Sequence, residues 1–227
     1  DSQIDFLSLM DHTPGQGQFV DIEQFRRYYG KVRGKSPQEL DHLITHRIAA
    51  RRNVENAPLQ HLTDLCRRHN IRVASHDDDT AAKVDWNHSL GVTLAEFPVN
   101  LEAARKARDY NMHVSLGAPN ILRGGSATGN LSAREAIAAG YGSIICSDYA
   151  PVSMIHAGMT LVRQGITDIV QMSRMLSHNP AEAVGIESMN GAIEAGKKAD
   201  LVLVKLNDDI PSIQRTFVAG IQVYASC

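Results

Sequence analysis

Five short apolar runs, each followed by a segment with helical spacing, constrain the fold of this 227-residue chain more than any other feature. They occupy residues 6–10, 71–75, 92–95, 112–116 and 143–146. Continuous apolar runs of this length are typical of strands that are buried on both faces of a parallel sheet. Strands that alternate with helices indicate a parallel α/β architecture, either a closed barrel or an open doubly wound sheet.

Helix start signals separate the runs. Ser36-Pro37-Gln38-Glu39 is a capping box with proline at the first helical position, and it predicts a helix that continues to Arg52. Asn100 and Ser132 are predicted to cap the helices at 101–110 and 133–139. Further helices are predicted at 59–68, 154–163 and 168–176, with a shorter one restarting at Pro180.

The last segment changes character. Residues 201–204, 213–218 and 222–224 predict short strands, the last two joined by a tight turn at Ala219-Gly220. We therefore predict two regions: 1–190 contains the alternating strands and helices, and 191–227 forms a small antiparallel β appendage.

Charge, hydropathy and cysteine content exclude several functional classes. The formal net charge of −2 argues against nucleic acid as a partner, because binding to a phosphate backbone needs a basic face. No apolar run approaches the roughly 20 residues that a membrane span requires. Cys66, Cys146 and Cys227 form no CxxC pair, so we expect free thiols in the reducing cytoplasm.

Candidate reactive groups follow the predicted strands, where parallel α/β proteins collect them. His12, His76, Glu96 and Asp148 each stand at or just after a strand end. Imidazole and carboxylate can hold a divalent ion that activates water. Position alone leaves alternatives open: Asp148 could cap a helix, and the run 77–79 could simply decorate a helix N-terminus, with at most one of its three aspartates contacting metal or substrate.

A glycine-rich stretch at residues 120–130 lies between the fourth strand and the next helix. Backbone N–H groups in such a loop can cradle phosphate oxygens, and Arg123 would add a charged fork. Gly-Lys-Ser/Thr is absent, so the stretch is not a Walker A loop, and a flexible connection is the alternative interpretation.

Taken together, the motifs resemble the PhnM diphosphatases of the bacterial carbon–phosphorus lyase pathway, a branch of the amidohydrolase superfamily. The stretches that carry the resemblance are 8–16, 74–78, 95–98, 117–120, 123–126, 129–130, 147–149 and 179–181. The closing stretch 196–203 is shared by many amidohydrolases.

The resemblance implies an α/β fold, namely the C-terminal part of a (β/α)8 TIM barrel with two divalent metals, assigned as zinc, at its strand ends. His12 and His76 match metal ligands, and Asp148 matches the catalytic aspartate that binds metal and handles the proton of the attacking water. The implied reaction is hydrolysis of α-D-ribose 1-methylphosphonate 5-triphosphate to the 5-phosphate and pyrophosphate. Predicted substrate contacts are Asn120, Arg123, Gly124, Gly125, Ser126, Asn130 and Tyr149, and Tyr28, Tyr29 and Lys31 resemble a segment that lines the mouth of the site.

Two departures from the family pattern set further expectations. The family's His-x-Asp pair and bridging carboxylate cannot be located, because the chain begins near the fifth strand; we therefore expect an N-terminal half elsewhere and an inactive fragment. Ala127 stands where the family has histidine. The alternative functions are a dihydroorotase-like cyclic amide hydrolase, a deaminase and a non-catalytic half-barrel scaffold. We leave open whether the protein forms a homo-oligomer.

Overall fold

The computed structural model describes residues 4–52 and 57–226. They divide into two compact units, one made of residues 1–112 with 127–131 and the other of 113–126 with 132–227. The predicted boundary near residue 190 is not where this division falls, and the assignment of 1–190 and 191–227 to two structural domains stays a prediction.

Three parallel strands form the sheet of the first unit: β1 (Phe6–Leu9), β2 (Arg72–His76) and β3 (Leu94–Glu96). In the register between them, Ser8 pairs with Ala74 and His76 pairs with Glu96. Each strand coincides with a predicted apolar run to within two residues at either end. The three central residues of β2 are buried, as expected for a strand predicted from an apolar run.

Helices follow each strand of the first unit. They are α1 (Ile22–Arg33), α2 (Pro37–Arg52), α3 (Ala57–Arg68), α4 (Ala81–Ser89) and α5 (Leu101–Asp109), with a short 3-10 helix at Gly17–Phe19. The capping box is confirmed, since Oε2 of Glu39 accepts from both N and Oγ of Ser36 at 2.8 Å. The cap of α5 is confirmed as well, because Oδ1 of Asn100 accepts from N of Ala103 at 2.8 Å.

The long connection after β1 has a small core of its own. Phe19, Phe25, Leu40 and Ile44 are buried together, joining the 3-10 helix to α1 and α2. The rings of Phe25 and Tyr29 stack at 4.3 Å between centroids. Burial of these side chains stabilises the connection against the entropy of a loop, so the residues that follow His12 are held by packing.

The second unit begins with the parallel strands β4 (His113–Gly117) and β5 (Ile144–Cys146), in which Ser115 pairs with Ile144. Its helices are α6 (Ala118–Arg123), α7 (Ala133–Ala138), α8 (Met154–Arg163), α9 (Ile169–Leu176) and α10 (His178–Val184), with a 3-10 helix at Pro151–Ser153.

An antiparallel sheet closes the second unit, as predicted. It consists of β6 (Leu201–Asn207), β7 (Ile210–Val218) and β8 (Ile221–Ala225). The predicted turn at Ala219-Gly220 is present, and both of its residues have positive φ angles, 49° and 80°.

One local prediction was wrong, and another was confirmed in position but not in its hydrogen bond. Residues 118–123 form α6, so Asn120 and Arg123 lie in a short helix and not in a glycine-rich loop. Ser132 stands at the start of α7 but makes no capping bond with its side chain. Oδ1 of Asn120 accepts from N of Ala133 at 2.9 Å and takes over this function.

The described helices are short, the longest being α2 with 16 residues. Among the described residues, no helix combines the length and the apolar character that crossing a membrane requires. Helix α2 itself carries charged residues along its length, including Glu39, Asp41 and Arg47.

Candidate metal centre

His12, His76 and Asp77 bring three potential metal ligands together at the ends of β1 and β2. Oδ2 of Asp77 lies 3.1 Å from Nε2 of His12 and 2.9 Å from Nδ1 of His76. The two imidazole rings are 5.5 Å apart between centroids. One ligand atom from each of the three residues falls within 4.8 Å of the others. We call this set the His12–His76–Asp77 group.

Burial and charge set the protonation of the group. The side chains of Asp77, His76 and His12 are 7%, 13% and 33% exposed. Burial raises the pKa of Asp77, but hydrogen bonds and charge from both histidines outweigh it and leave the pKa below its ordinary value. Burial lowers the pKa of His76, but Asp77 and then Glu96 outweigh it, and this pKa is raised. Asp77 is therefore ionised at neutral pH.

The backbone at Asp77 explains how its carboxylate reaches both rings. Asp77 has a φ of 53°, in the left-handed region that aspartate tolerates better than most residues. Its N–H donates to O of Glu96 at 2.9 Å, and Nζ of Lys83 donates to its carbonyl oxygen at 3.1 Å. Both main-chain groups of Asp77 are thus fixed by neighbouring residues.

The two following aspartates have other partners. Asp78 is buried and accepts from Oγ of Ser75 at 2.5 Å and from Nδ2 of Asn87 at 2.7 Å. Burial raises the pKa of Asp78 above its ordinary value against these hydrogen bonds. Oδ2 of Asp79 accepts from N of Gly17 at 2.6 Å. Among the three, only Asp77 belongs to the His12–His76–Asp77 group.

The segment around His12 is held on both sides. Oδ2 of Asp11 accepts from Nε of Arg51 at 2.6 Å, which joins the start of the connection to the end of α2. Burial raises the pKa of Asp11, but hydrogen bonds from Thr13 and Arg51 outweigh it, so this pKa is lowered. Gly17 has a φ of +55°, and a Cβ there would lie 3.3 Å from the carbonyl oxygens of Asp11 and Asp77.

The donor set suits a divalent ion. Two imidazoles and one carboxylate are ligands that zinc, manganese, iron and nickel accept. Nδ1 of His76 is buried and lies 2.9 Å from Oδ2 of Asp77, and Nε2 of His12 lies 3.1 Å from the same oxygen. The other nitrogen of each ring can bind a cation while Asp77 holds the ring in place. These residues therefore fit the metal that the sequence predicts.

Glu96 extends the polar surface of the sheet. It is the last residue of β3, and its Oε2 accepts from Oγ of Ser8 on β1 at 2.5 Å. It stands among the strand-end residues of the sequence, but no role was predicted for it.

In the second unit, Asp148 and Tyr149 follow β5. Asp148 is exposed and has a φ of 51°. Tyr149 is 69% exposed, and its hydroxyl accepts from Nη1 of Arg123 at 2.5 Å. Two of the residues predicted to bind substrate, Arg123 and Tyr149, are therefore hydrogen-bonded to each other. The assignment of Asp148 as a metal ligand that joins His12 and His76 stays a prediction.

The remaining predicted substrate contacts have structural partners. Gly124 ends α6 with a φ of +84°, and Nε of Arg134 donates to O of Ile121 at 2.7 Å beside it. Gly125 donates its N–H to O of Asn120 at 3.1 Å. Ser126 follows at the end of this stretch. Asn130 belongs to the first unit, where its Nδ2 donates to O of Gln18 at 3.1 Å. Phosphate binding by these residues stays a prediction.

Asp77 is the functional candidate that the sequence did not single out. Its signal was present, because it directly follows His76 and heads a run of three aspartates. The run gave no means of choosing among its members, since the choice depends on the left-handed backbone at Asp77.

The amidohydrolase family matches residues 38–223. Alpha-D-ribose 1-methylphosphonate 5-triphosphate diphosphatase of Escherichia coli (strain K12) is 35% identical over 223 residues, which is 97% of this chain and 59% of that protein. The chain therefore spans about three-fifths of the length of this curated relative.

Solved structures with a similar fold include an amidohydrolase from Thermotoga maritima MSB8, with a TM-score of 0.59, 18% identity and coverage of 90% of this chain and 56% of that one. N-acetylglucosamine-6-phosphate deacetylase from Pasteurella multocida has a TM-score of 0.58 at 17% identity, covering 76% and 55% of the two chains. These similarities confirm the predicted fold class, an α/β barrel of the amidohydrolase type with C-terminal antiparallel strands. The chain belongs to the amidohydrolase family.

Proposed function

We propose that this chain is the C-terminal part of a metal-dependent diphosphatase that hydrolyses α-D-ribose 1-methylphosphonate 5-triphosphate to the 5-phosphate and pyrophosphate. The observation that carries the proposal is the 35% identity, over 97% of the chain, to a diphosphatase of this substrate. The His12–His76–Asp77 group supports it, because hydrolysis of a phosphoric anhydride by this family needs a metal centre. The enzyme would act in the carbon–phosphorus lyase pathway of phosphonate catabolism.

Each residue has a proposed part in the reaction. A divalent ion, when bound, supplies Lewis-acid charge for the attack of water on a phosphoryl group. His12 and His76 hold it through ring nitrogens, and Asp77 orients both rings through its shared oxygen. Asp148 is the proposed further ligand and accepts the proton of the attacking water.

Arg123 and Tyr149 are the proposed phosphate contacts. The guanidinium of Arg123 carries several donors in a planar fork, and only one of them is directed to the hydroxyl of Tyr149. The remaining donors can bind phosphate oxygens and stabilise charge that develops on the leaving pyrophosphate.

The cofactor and compartment are also proposals. We propose that the divalent metal is zinc, with two ions in the complete protein. A cytoplasmic location is supported by Cys66, which is a buried free thiol.

A metal-dependence assay on the full-length protein tests this function. Pyrophosphate release from the triphosphate should disappear on chelation, return with added zinc and be absent in His76→Ala. Asp85→Asn, on the exposed surface of α4, is the control and should retain activity. Ring opening of a dihydropyrimidine without pyrophosphate release would replace the proposal with an amide hydrolase. Metal binding with neither activity would also refute it.

A further inference from the structure

Glu96 and Ser8 are joined across the strand that carries His76. Ser8 pairs with Ala74, and Glu96 pairs with His76, so all four side chains lie on one face of the parallel sheet. The hydrogen bond from Oγ of Ser8 to Oε2 of Glu96, 2.5 Å long, therefore passes over β2. Ala74 is fully buried there and carries only a methyl group, which leaves room for the bond.

The charge of Glu96 is not balanced by a nearby base. Within residues 4–52 and 57–226, its carboxylate forms no ion pair with lysine or arginine, and its hydrogen-bond partner is a neutral hydroxyl. Lys83 is the cation near this end of the sheet, but its ammonium donates to the main-chain oxygen of Asp77.

Two carboxylates therefore accompany two imidazoles at this end of the sheet. Asp77 contacts both rings, whereas Glu96 is outside the set of atoms that lie within 4.8 Å of one another. With neutral imidazoles, the charges of Asp77 and Glu96 together equal that of one divalent ion in magnitude and oppose it in sign. Glu96 thus supplies a second negative charge on the face of the sheet that carries His76, and no described lysine or arginine forms an ion pair with it.

We propose that Glu96 is a positioning residue of the metal centre: held by Ser8, its carboxylate increases the affinity of the His12–His76–Asp77 group for a divalent cation without binding it directly. The inference rests on the metal site of the proposed function. Ser8 acts through Glu96, because its hydroxyl fixes the carboxylate on the face of the sheet that carries His76.

Three variants separate charge from hydrogen bonding. Glu96→Gln removes the charge but keeps an oxygen that can accept a hydrogen bond from Ser8. Ser8→Ala keeps the charge but removes the hydrogen bond that holds the carboxylate. The double variant tests whether the two residues act as one unit. The measurement is the dissociation constant for Zn²⁺, obtained on the full-length protein by competition with a chromophoric chelator.

The affinity for Zn²⁺ should fall about tenfold in Glu96→Gln, as for other residues that support a metal site from outside its ligand set. Ser8→Ala should show a smaller loss, and the double variant should match Glu96→Gln alone. Glu102→Gln, an exposed glutamate on α5, is the control and should bind as wild type does. The thermal stability of the metal-free protein should not fall in Glu96→Gln, which separates the proposed role from a purely structural one.

Wild-type affinity in Glu96→Gln would overturn the inference, and so would losses that add up in the double variant. If Glu96→Gln fails to fold, Ser8→Ala decides, and unchanged Zn²⁺ affinity in that variant overturns the inference. The outcome is independent of catalysis: a wild-type protein that binds Zn²⁺ but releases no pyrophosphate refutes the proposed function and leaves the role of Glu96 standing.

Discussion

Oδ2 of Asp77 lies 3.1 Å from Nε2 of His12, although the two residues are 65 positions apart in the chain. The contact joins the loop after β1 to the end of β2, and the same oxygen lies 2.9 Å from His76. A single carboxylate thus holds two imidazoles, one from the loop after β1 and one from the end of β2. This arrangement is the structural basis for a metal centre in the part of the chain that the structure describes.

Asp77→Asn should reduce the affinity for Zn²⁺ about tenfold or more, because the site loses both a charge and the acceptor that orients the rings. Competition with a chelator measures the change. Asp85→Asn, a surface aspartate paired with Lys106, should have no effect and serves as the matched control. Zinc affinity equal to that of the wild type would show that Asp77 neither binds nor supports the metal.

Gly17→Ala should destabilise the protein more than Gly15→Ala. Both glycines have positive φ, so both alanine variants carry a backbone cost of roughly 1–2 kcal/mol. Only at Gly17 would the added Cβ also crowd the carbonyl oxygens of Asp11 and Asp77, at 3.3 Å, whereas nothing lies within 4 Å at Gly15. Denaturant unfolding measures the difference, and equal losses would contradict the crowding.

Arg123→Lys and Tyr149→Phe should raise the KM for the triphosphate. The first variant removes the planar fork of donors, and the second removes the hydroxyl that holds it. Arg163→Lys, on the exposed end of α8, provides the control for loss of a guanidinium elsewhere. Steady-state kinetics distinguishes the outcomes, and an unchanged KM in Arg123→Lys would remove this residue from the phosphate site.

The capping box of α2 should contribute to stability in a pH-dependent way. Hydrogen bonds from N and Oγ of Ser36 hold the pKa of Glu39 below its ordinary value of 4.5. A lowered carboxyl pKa stabilises the folded state above the unfolded-state pKa, and the contribution disappears as pH falls through the folded-state pKa. Thermal unfolding of wild type and Glu39→Gln should therefore differ at neutral pH and converge in acid. A difference that persists in acid would contradict this origin.

The strands could be predicted from sequence because strands buried on both faces are mainly apolar, as Val73 and Ala74 in the buried centre of β2 show. Helix α6 could not, since its six residues are too short to show a helical period, and Gly124 and Gly125 made the region look like a loop. The start of α7 was located correctly at Ser132, but the side chain that caps it comes from Asn120, 13 residues away. A capping side chain that comes from another part of the chain leaves no pattern in the residues next to the helix start.

The candidate metal centre was predictable only in part. His12 and His76 stand out because they follow buried strands, where reactive groups collect in parallel α/β proteins. Selecting Asp77 from residues 77–79 required its φ of 53°, which composition does not reveal. The bond between Ser8 and Glu96 depends on strand register across β2, and no spacing rule in the sequence indicates it.

Phosphorus-31 NMR of the reaction products tests the central claim most directly. The full-length, zinc-loaded protein is incubated with α-D-ribose 1-methylphosphonate 5-triphosphate, and the phosphorus signals are followed over time. Our account predicts that the triphosphate signals are replaced together by those of pyrophosphate and a 5-phosphate, with the phosphonate signal retained. Stepwise release of orthophosphate, or an unchanged triphosphate in a protein that has bound its metal, would contradict it.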